Sequence, residues 1–403
     1  MFRHPSRRRL LGLAAGGSVA AVLPGCASPE RRPSVPAGEA THATVLGIAN
    51  ERFFPATGVA PLEAEFNDAV TRLRRTRGLA ANAPMPELNL LAVSGGGENG
   101  AFGAGLLCGW TEHGGRPTFE LVTGVSTGAL IAPFAYLGTD YDPQLSTMYT
   151  GLTPDKVLVK RGLINGALFE DALADNHPLF VTISGYVNDR LMAAMAKAYG
   201  EGRLLLIGST DLDAQQPVIW NVGAIARSGH PRALDTIRRI LLASSAMPAA
   251  FPPTMFDVTL DGKAYEEMHV DGGAFAQTFL YPAAVMRQRQ ARMQAGEPVI
   301  PVRAYVIRNG RLDPDWASID RRTLSIAERA ISTMTTASGY NDVVRIYNNA
   351  QRDGIEYNLA FIGTDFTQKL PAPFDQAYMR ALYDYGYQRG RRGYAWAHKP
   401  PMS

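Results

Sequence analysis

The stretch Phe119-Glu120-Leu121-Val122-Thr123-Gly124-Val125-Ser126-Thr127-Gly128 decides how the chain is read. Phe119 to Thr123 has the length and composition of a buried strand, and a helix-like run of small and apolar residues continues to Leu137. Between them a serine is held by two glycines. A turn that tight needs little or no side chain on either flank, and it lifts the serine hydroxyl above the end of the sheet. The helix that begins after Ser126 aims its first N–H groups at negative charge developing there. Gly-x-Ser-x-Gly alone recurs by chance. The strand–turn–helix setting of Gly124, Ser126 and Gly128 makes it a nucleophile elbow.

The same plan occurs upstream. Leu88 to Val93 is a nearly continuous apolar run, followed by Ser94-Gly95-Gly96-Gly97-Glu98-Asn99-Gly100 and a helix-like stretch to His113. Consecutive glycines let the backbone approach a ligand and turn its N–H groups toward an anion. The loop lacks the lysine and hydroxyl residue of a P-loop and has not the spacing of a dinucleotide fingerprint, so nucleotide binding is disfavoured. Paired with a serine elbow, Gly95, Gly96, Gly97 and Gly100 read better as an oxyanion hole. A third signal is Val270-Asp271-Gly272-Gly273 at an expected strand end. Asp-Gly is an ordinary turn, and its weight comes from what is missing. A Ser-His-Asp esterase needs a histidine, usually after the aspartate. The only later one is His398, among Lys399, Pro400 and Pro401 near the C-terminus. His113, His177, His230 and His269 carry no supporting signature and read as structural or solvated.

Working outward, strands are expected at Leu204–Ser209, Val218–Val222, Val302–Ile307 and Ile355–Ile362, with a hairpin at Asp261-Gly262 returning to Val270. Helices are expected over Pro61–Gly78, Arg232–Ser244, Tyr281–Gln294, Arg322–Ala337, Asn341–Gln351 and Phe374–Trp396. Strands alternating with helices predict an α/β fold with a largely parallel sheet and helices on both faces. The basic end of the first helix (Arg72, Arg74, Arg75, Arg77) suits anionic headgroups or plain solvation equally.

These motifs, in this order, resemble the patatin-like phospholipase family, in its bacterial lipoprotein branch. The resemblance rests on Gly95-Gly96-Gly97-Glu98-Asn99-Gly100, Gly124-Val125-Ser126-Thr127-Gly128 and Asp271-Gly272-Gly273. It is supported by Gly208-Ser209-Thr210-Asp211-Leu212-Asp213 and by the segment Ala243 to Pro253. It covers roughly residues 88–310 and implies the family's three-layer fold. It further implies a Ser126–Asp271 dyad that acts without histidine, cofactor or metal on phospholipid or other fatty acyl esters at a membrane surface. The family often has Arg or Lys where this chain has Asn99, so the loop must rely on backbone donors and the helix dipole. The alternative from another class is a catalytically silent envelope lipoprotein that keeps the fold to bind lipid or a partner.

The composition fits this reading. The chain has 403 residues, 46% hydrophobic and 19% charged, enough for a large packed core. The net charge of +3 belongs to Arg3, Arg7, Arg8 and Arg9; past the first 25 residues, 36 basic face 37 acidic residues, which leaves no nucleic-acid footprint. Residues 1–26 read as an export signal: a twin-arginine-like Ser6-Arg7-Arg8-Arg9-Leu10-Leu11, an apolar run to Leu23, and Leu23-Pro24-Gly25-Cys26, which resembles a lipobox. Cys26 is then the expected lipid attachment site, residues 27–87 a tether and N-terminal arm, and 88–403 the main domain. The expected address is the bacterial cell envelope, at the outer membrane or facing the periplasm. Cys108, in an apolar stretch, reads as a buried inert thiol.

Overall fold

The computed structural model describes residues 31–80, 83–160, 172 and 174–401. In chain order the elements are β1 (Arg52–Phe53), α1 (Ala60–Thr76), β2 (Leu88–Val93), α2 (Gly100–His113), β3 (Leu121–Val125), α3 (Thr127–Leu137) and α4 (Asp142–Gly151). A two-stranded ribbon, β4 (Val159–Lys160) and β5 (Ala174–Asp175), precedes α5 (His177–Tyr186) and α6 (Asp189–Gly200). There follow β6 (Leu204–Asp211), β7 (Gln216–Asn221), α7 (Val222–Arg227), α8 (Ala233–Ser244), β8 (Thr254–Leu260) and β9 (Lys263–Asp271). The chain then forms α9 (Arg287–Gln294), β10 (Val302–Arg308), α10 (Thr323–Arg352), β11 (Glu356–Phe361) and α11 (Gln376–Arg391).

The main sheet runs β1-β7-β6-β3-β2-β10-β11, with β9 also on β6 and β8 on β9. Strands β6, β3, β2, β10 and β11 are mutually parallel; the others join antiparallel. Side chains alternate across each strand. Leu91, Val93, Val122, Leu205 and Ile207 therefore pack on one face, against α2, α3, α4, α8 and α11. Leu90, Ala92, Leu121, Leu204 and Leu206 pack on the other, against α1 and the C-terminal half of α10. This is the expected three-layer α/β arrangement, and it explains why β2 and β3 are apolar on both sides.

The register on β6 sets up the site. Val125, the last residue of β3, lies opposite Gly208, and the next β6 residue, Ser209, lies opposite Asp271, the last residue of β9. Strand β3 thus hands its place beside β6 to the antiparallel β9. The C-terminal ends of the two strands meet there, which brings Ser126 and Asp271 together across a long sequence separation.

Several expectations need correction. Arg322–Ala337 and Asn341–Gln351 form one continuous helix, because Gly339 does not break it. The expected helix Tyr281–Gln294 is regular only from Arg287, after a 3-10 turn at Ala283–Met286. Strand β3 runs on to Val125, straight into the elbow. Residues 27–87 are expected to form a tether and N-terminal arm; the described part that precedes α1, from Arg31 on, is docked rather than free: Ala40, Ala43, Val45, Phe53 and Phe54 are buried, β1 extends the sheet, and Thr44 bridges Thr259. The basic end of α1 is tied inward, with Arg72 on Glu65 and Arg77 on Glu120. Helices α4, α5 and α6 lie between Leu137 and Leu204, where no element is expected. Among the described residues no helix is long and apolar enough to cross a membrane.

Candidate active site

Ser126 sits between β3 and α3 with φ 56° and ψ −127°, a conformation that costs about 1–3 kcal/mol for a residue with a Cβ. The surroundings hold it there. A Cβ on Gly128 would overlap the Val93 carbonyl, and one on Gly124 would lie 2.5 Å from the Gly128 carbonyl oxygen. Both flanking glycines are thus required by close packing. The Ser126 N–H donates to Ser244 Oγ at 3.0 Å, and that hydroxyl donates to the Gly208 carbonyl at 2.6 Å. Ser244, fully buried at the end of α8, ties the elbow to the neighbouring strand.

Asp271 is buried, with 6% of its surface exposed. Its Oδ1 accepts the Gly273 N–H at 2.7 Å, and the Ser126 side chain lies close enough to the carboxylate to favour its charged form. Burial pushes its pKa up to about 6; the Ser126 side chain and the Gly273 N–H pull it back only in part. No described histidine bonds to either residue. His269 lies two residues before Asp271, but its ring is engaged by Ser209 Oγ at 2.9 Å and Glu267 at 3.2 Å. His398 rests on the Tyr357 carbonyl, on β11.

The glycine loop closes over the elbow. A Cβ on Gly95 would lie 3.2 Å from Ser126 Cβ, so the loop passes directly beside the serine. The four glycines do not act alike. The Gly95 N–H donates to the Gln277 carbonyl at 2.9 Å. The Gly100 N–H turns back to the carbonyls of Gly97 and Glu98. These two are packing positions rather than open donors, which corrects the expectation for them. Among the described residues the N–H groups of Gly96 (φ 155°) and Gly97 (φ 57°) have no acceptor. Asn99 Oδ1 accepts from Tyr378 Oη at 2.8 Å, so it points to α11.

Sequence reading missed four supporting residues. Asn309 clamps the loop, its Nδ2 donating to the Ser94 carbonyl at 2.8 Å and its Oδ1 accepting the Gly103 N–H at 3.1 Å. Arg308 donates to Ser94 Oγ and the Gly95 carbonyl. Gln277 is buried between the Asp271 turn and Gly95, and Ser244 has been described. Ser244 falls within the Ala243 to Pro253 segment but had no role assigned; Arg308, Asn309 and Gln277 stand in no local motif and are brought to the loop by the tertiary fold.

Asp211, Glu267 and His269 form a buried cluster whose ligand atoms come within 4.8 Å of one another. Both Glu267 oxygens are paired with Arg52, and both His269 ring nitrogens have partners, so the set is knit into the structure. Cys108 is buried and free, and burial raises its pKa to about 11, as expected of an inert thiol. Cys26 and the rest of the leader lie outside the described residues.

Beside the elbow, α3, α4, α5 and α8 enclose a narrow apolar cavity. Leu130, Phe134, Met148, Leu179, Ile183 and Leu241 line it. Leu130 lies in the first turn of α3, its N–H reaching back to the Ser126 carbonyl.

No curated protein matches the chain. Two solved structures resemble it at 12% identity. VipD from Legionella pneumophila has a TM-score of 0.36, with 77% of this chain and 67% of that one covered. Human GIVD cytosolic phospholipase A2 has a TM-score of 0.30, with 72% and 52% covered. The family model for patatin-like phospholipase matches residues 91–284, a span that holds the elbow, the glycine loop and Asp271. Over residues 91–284, then, the chain is similar in sequence to the patatin-like phospholipases.

Proposed function

We propose that the chain is a serine hydrolase of fatty acyl esters, of phospholipase A or esterase type, working through Ser126 and Asp271. The observation that carries this reading is the Ser126 side chain set beside a buried carboxylate, next to two peptide N–H groups with no protein acceptor. Asp271 accepts the Ser126 proton as Oγ attacks the acyl carbonyl. The N–H groups of Gly96 and Gly97, with the first of α3, hold the resulting oxyanion. As the intermediate collapses, Asp271 returns the proton to the departing alcohol or lysolipid oxygen. A water, deprotonated by the same carboxylate, then attacks the acyl-enzyme, and the fatty acid leaves with Ser126 restored. A pKa near 6 suits both halves: the group is ionised at neutral pH, yet basic enough to take the proton.

Exposed Phe275 lies just past the Asp271 turn, and exposed Met247 follows Ala246, whose carbonyl accepts the Asp271 N–H, so apolar side chains border the dyad where lipid would arrive. For the address, we propose export and acylation at Cys26, which would hold the enzyme at its bilayer substrate. A fluorophosphonate probe tests the chemistry. It should label wild type and leave Ser126→Ala unlabelled; folded wild type that resists labelling would favour a silent lipid-binding protein. Intact mass tests the address, since a chain that begins elsewhere than a lipid-bearing Cys26 would refute it.

A further inference from the structure

The glycine loop bears no cation of its own, but one lies beneath it. Arg308, the last residue of β10, is 5% exposed, and its Nη1 donates to the Gly95 carbonyl at 3.2 Å and to Ser94 Oγ at 3.3 Å. Its Nε has no partner, and among the described residues it forms no ion pair. Asp342 is near enough to act on it, yet that carboxylate is held by the N–H groups of Gln277 and Thr278 and by Arg345. Burial lowers the Arg308 pKa to about 10, so it remains a cation at neutral pH. The cleft is shaped for it: a Cβ at Gly310 would lie 3.2 Å from the guanidinium, and one at Gly339 2.5 Å. An arginine buried with so few partners opposes stability. A fold that keeps one there has another use for it.

That use follows from peptide geometry. The Gly95 carbonyl and the Gly96 N–H belong to one planar trans peptide and point in opposite directions. Donors that fix the carbonyl therefore aim the N–H. Ser94 Oγ also donates to the Gly95 carbonyl, at 2.7 Å, and itself accepts the Asn309 N–H at 2.8 Å. Hydrogen bonds in such a chain polarise one another, and a charged donor does so most.

We propose that Arg308 is a positioning residue for the oxyanion-binding loop: through the Gly95 carbonyl it orients and polarises the Gly95–Gly96 peptide, making the Gly96 N–H a stronger donor to the oxyanion. Its charge stands in, from a distant strand, for the one Asn99 does not supply.

The inference rests on the Ser126–Asp271 reading, and the experiment separates the two. Full-length wild type, Ser126→Ala, Arg308→Met and Arg308→Lys are assayed on a soluble p-nitrophenyl ester, inactivated with an alkyl fluorophosphonate, and melted. Arg308→Met should lower kcat at least about tenfold, short of the 10²–10³ lost with an outright oxyanion donor. KM should stay within about twofold, because the interaction favours the transition state. The phosphonate inactivation rate should fall by the same factor as kcat/KM. The melting temperature should hold or rise, where a merely structural arginine would lower it. Arg308→Lys should recover part of the rate. Should Arg308→Met fail to fold, Arg308→Gln, which keeps a neutral donor, should show a reduced kcat with unchanged KM. Wild-type kcat in either neutral variant, or a loss explained by KM or by melting, overturns the role of Arg308 while a dead Ser126→Ala leaves the dyad standing. An active Ser126→Ala overturns the dyad itself.

Discussion

At the scale of single residues, the proposed base ties turnover to pH. Asp271 must be ionised to take a proton, and burial has moved its pKa to about 6. Turnover of a soluble ester should therefore be level at alkaline pH and fall as pH drops through that value; a rate unchanged down to pH 4.5 would rule Asp271 out as the base. The same shift bears on stability. A folded-state pKa above the ordinary aspartate value gives stability that is complete below the unfolded pKa and is lost as pH rises through the folded one. Asp271→Asn should abolish turnover and yet stabilise the fold at pH 8, by up to about 3 kcal/mol, with little effect near pH 4. Melting curves at the two pH values check the sign. The loop glycines should also separate. A Cβ at Gly96 would overlap the Asn309 carbonyl, whereas one at Gly97 meets nothing within 4 Å. Gly96→Ala should displace the loop and remove most activity. Gly97→Ala should retain far more, with a strain of about 1–2 kcal/mol from its positive φ. At this scale the sequence was legible where chemistry is local: Ser126, Asp271 and the glycines stand in short motifs. Arg308, Asn309 and Gln277 were not, since ordinary residues become partners of the loop only through the tertiary fold, and Ser244 was seen only as part of a longer segment, without its role at the elbow.

At the scale of elements, α2 and α11 show what the linear pattern hid. Nearly all of α2 is buried, so it lacks the polar face by which surface helices are recognised. It meets α11 through glycines: a Cβ at Gly105 or Gly109 would run into the carbonyls of Tyr383 or Tyr387, and one at Gly390 would lie 2.6 Å from the Leu106 carbonyl. The helices touch backbone to backbone, and α2 carries the glycine loop at its start. Gly105→Ala should force them apart and destabilise the fold by about 1–3 kcal/mol or more, as overpacking does, with the loss seen in urea unfolding. A stability equal to wild type would mean that the crossing is looser than described. The strands were legible because their apolar runs are short and punctuated. The continuity of α10 was not, since Ser338-Gly339 reads as a stop while Gly339 leaves room for the Arg308 guanidinium.

At the scale of the whole molecule, the alternation of strands and helices foretold the layered fold, while the docking of the N-terminal segment had no local signature. Arg52 from that segment pairs with Glu267 on β9, both almost fully buried, four residues before Asp271. Arg52→Met would strand that carboxylate and should cost about 3–5 kcal/mol, read from urea unfolding. An unchanged midpoint would show that His269 alone satisfies it.

The docked segment also sets a length. Arg31 binds Asp213 through both terminal nitrogens, at 2.9 and 2.7 Å, and Pro33 accepts the Glu266 N–H. If the chain is anchored at Cys26, residues 27–30 alone bridge the anchor and this attachment. Fully extended, they reach about 17 Å. A free tether ending at residue 60 would instead allow roughly 110 Å of travel. The domain would then ride on the bilayer at a standoff smaller than its own width, free to swivel but unable to reach across to an opposing membrane.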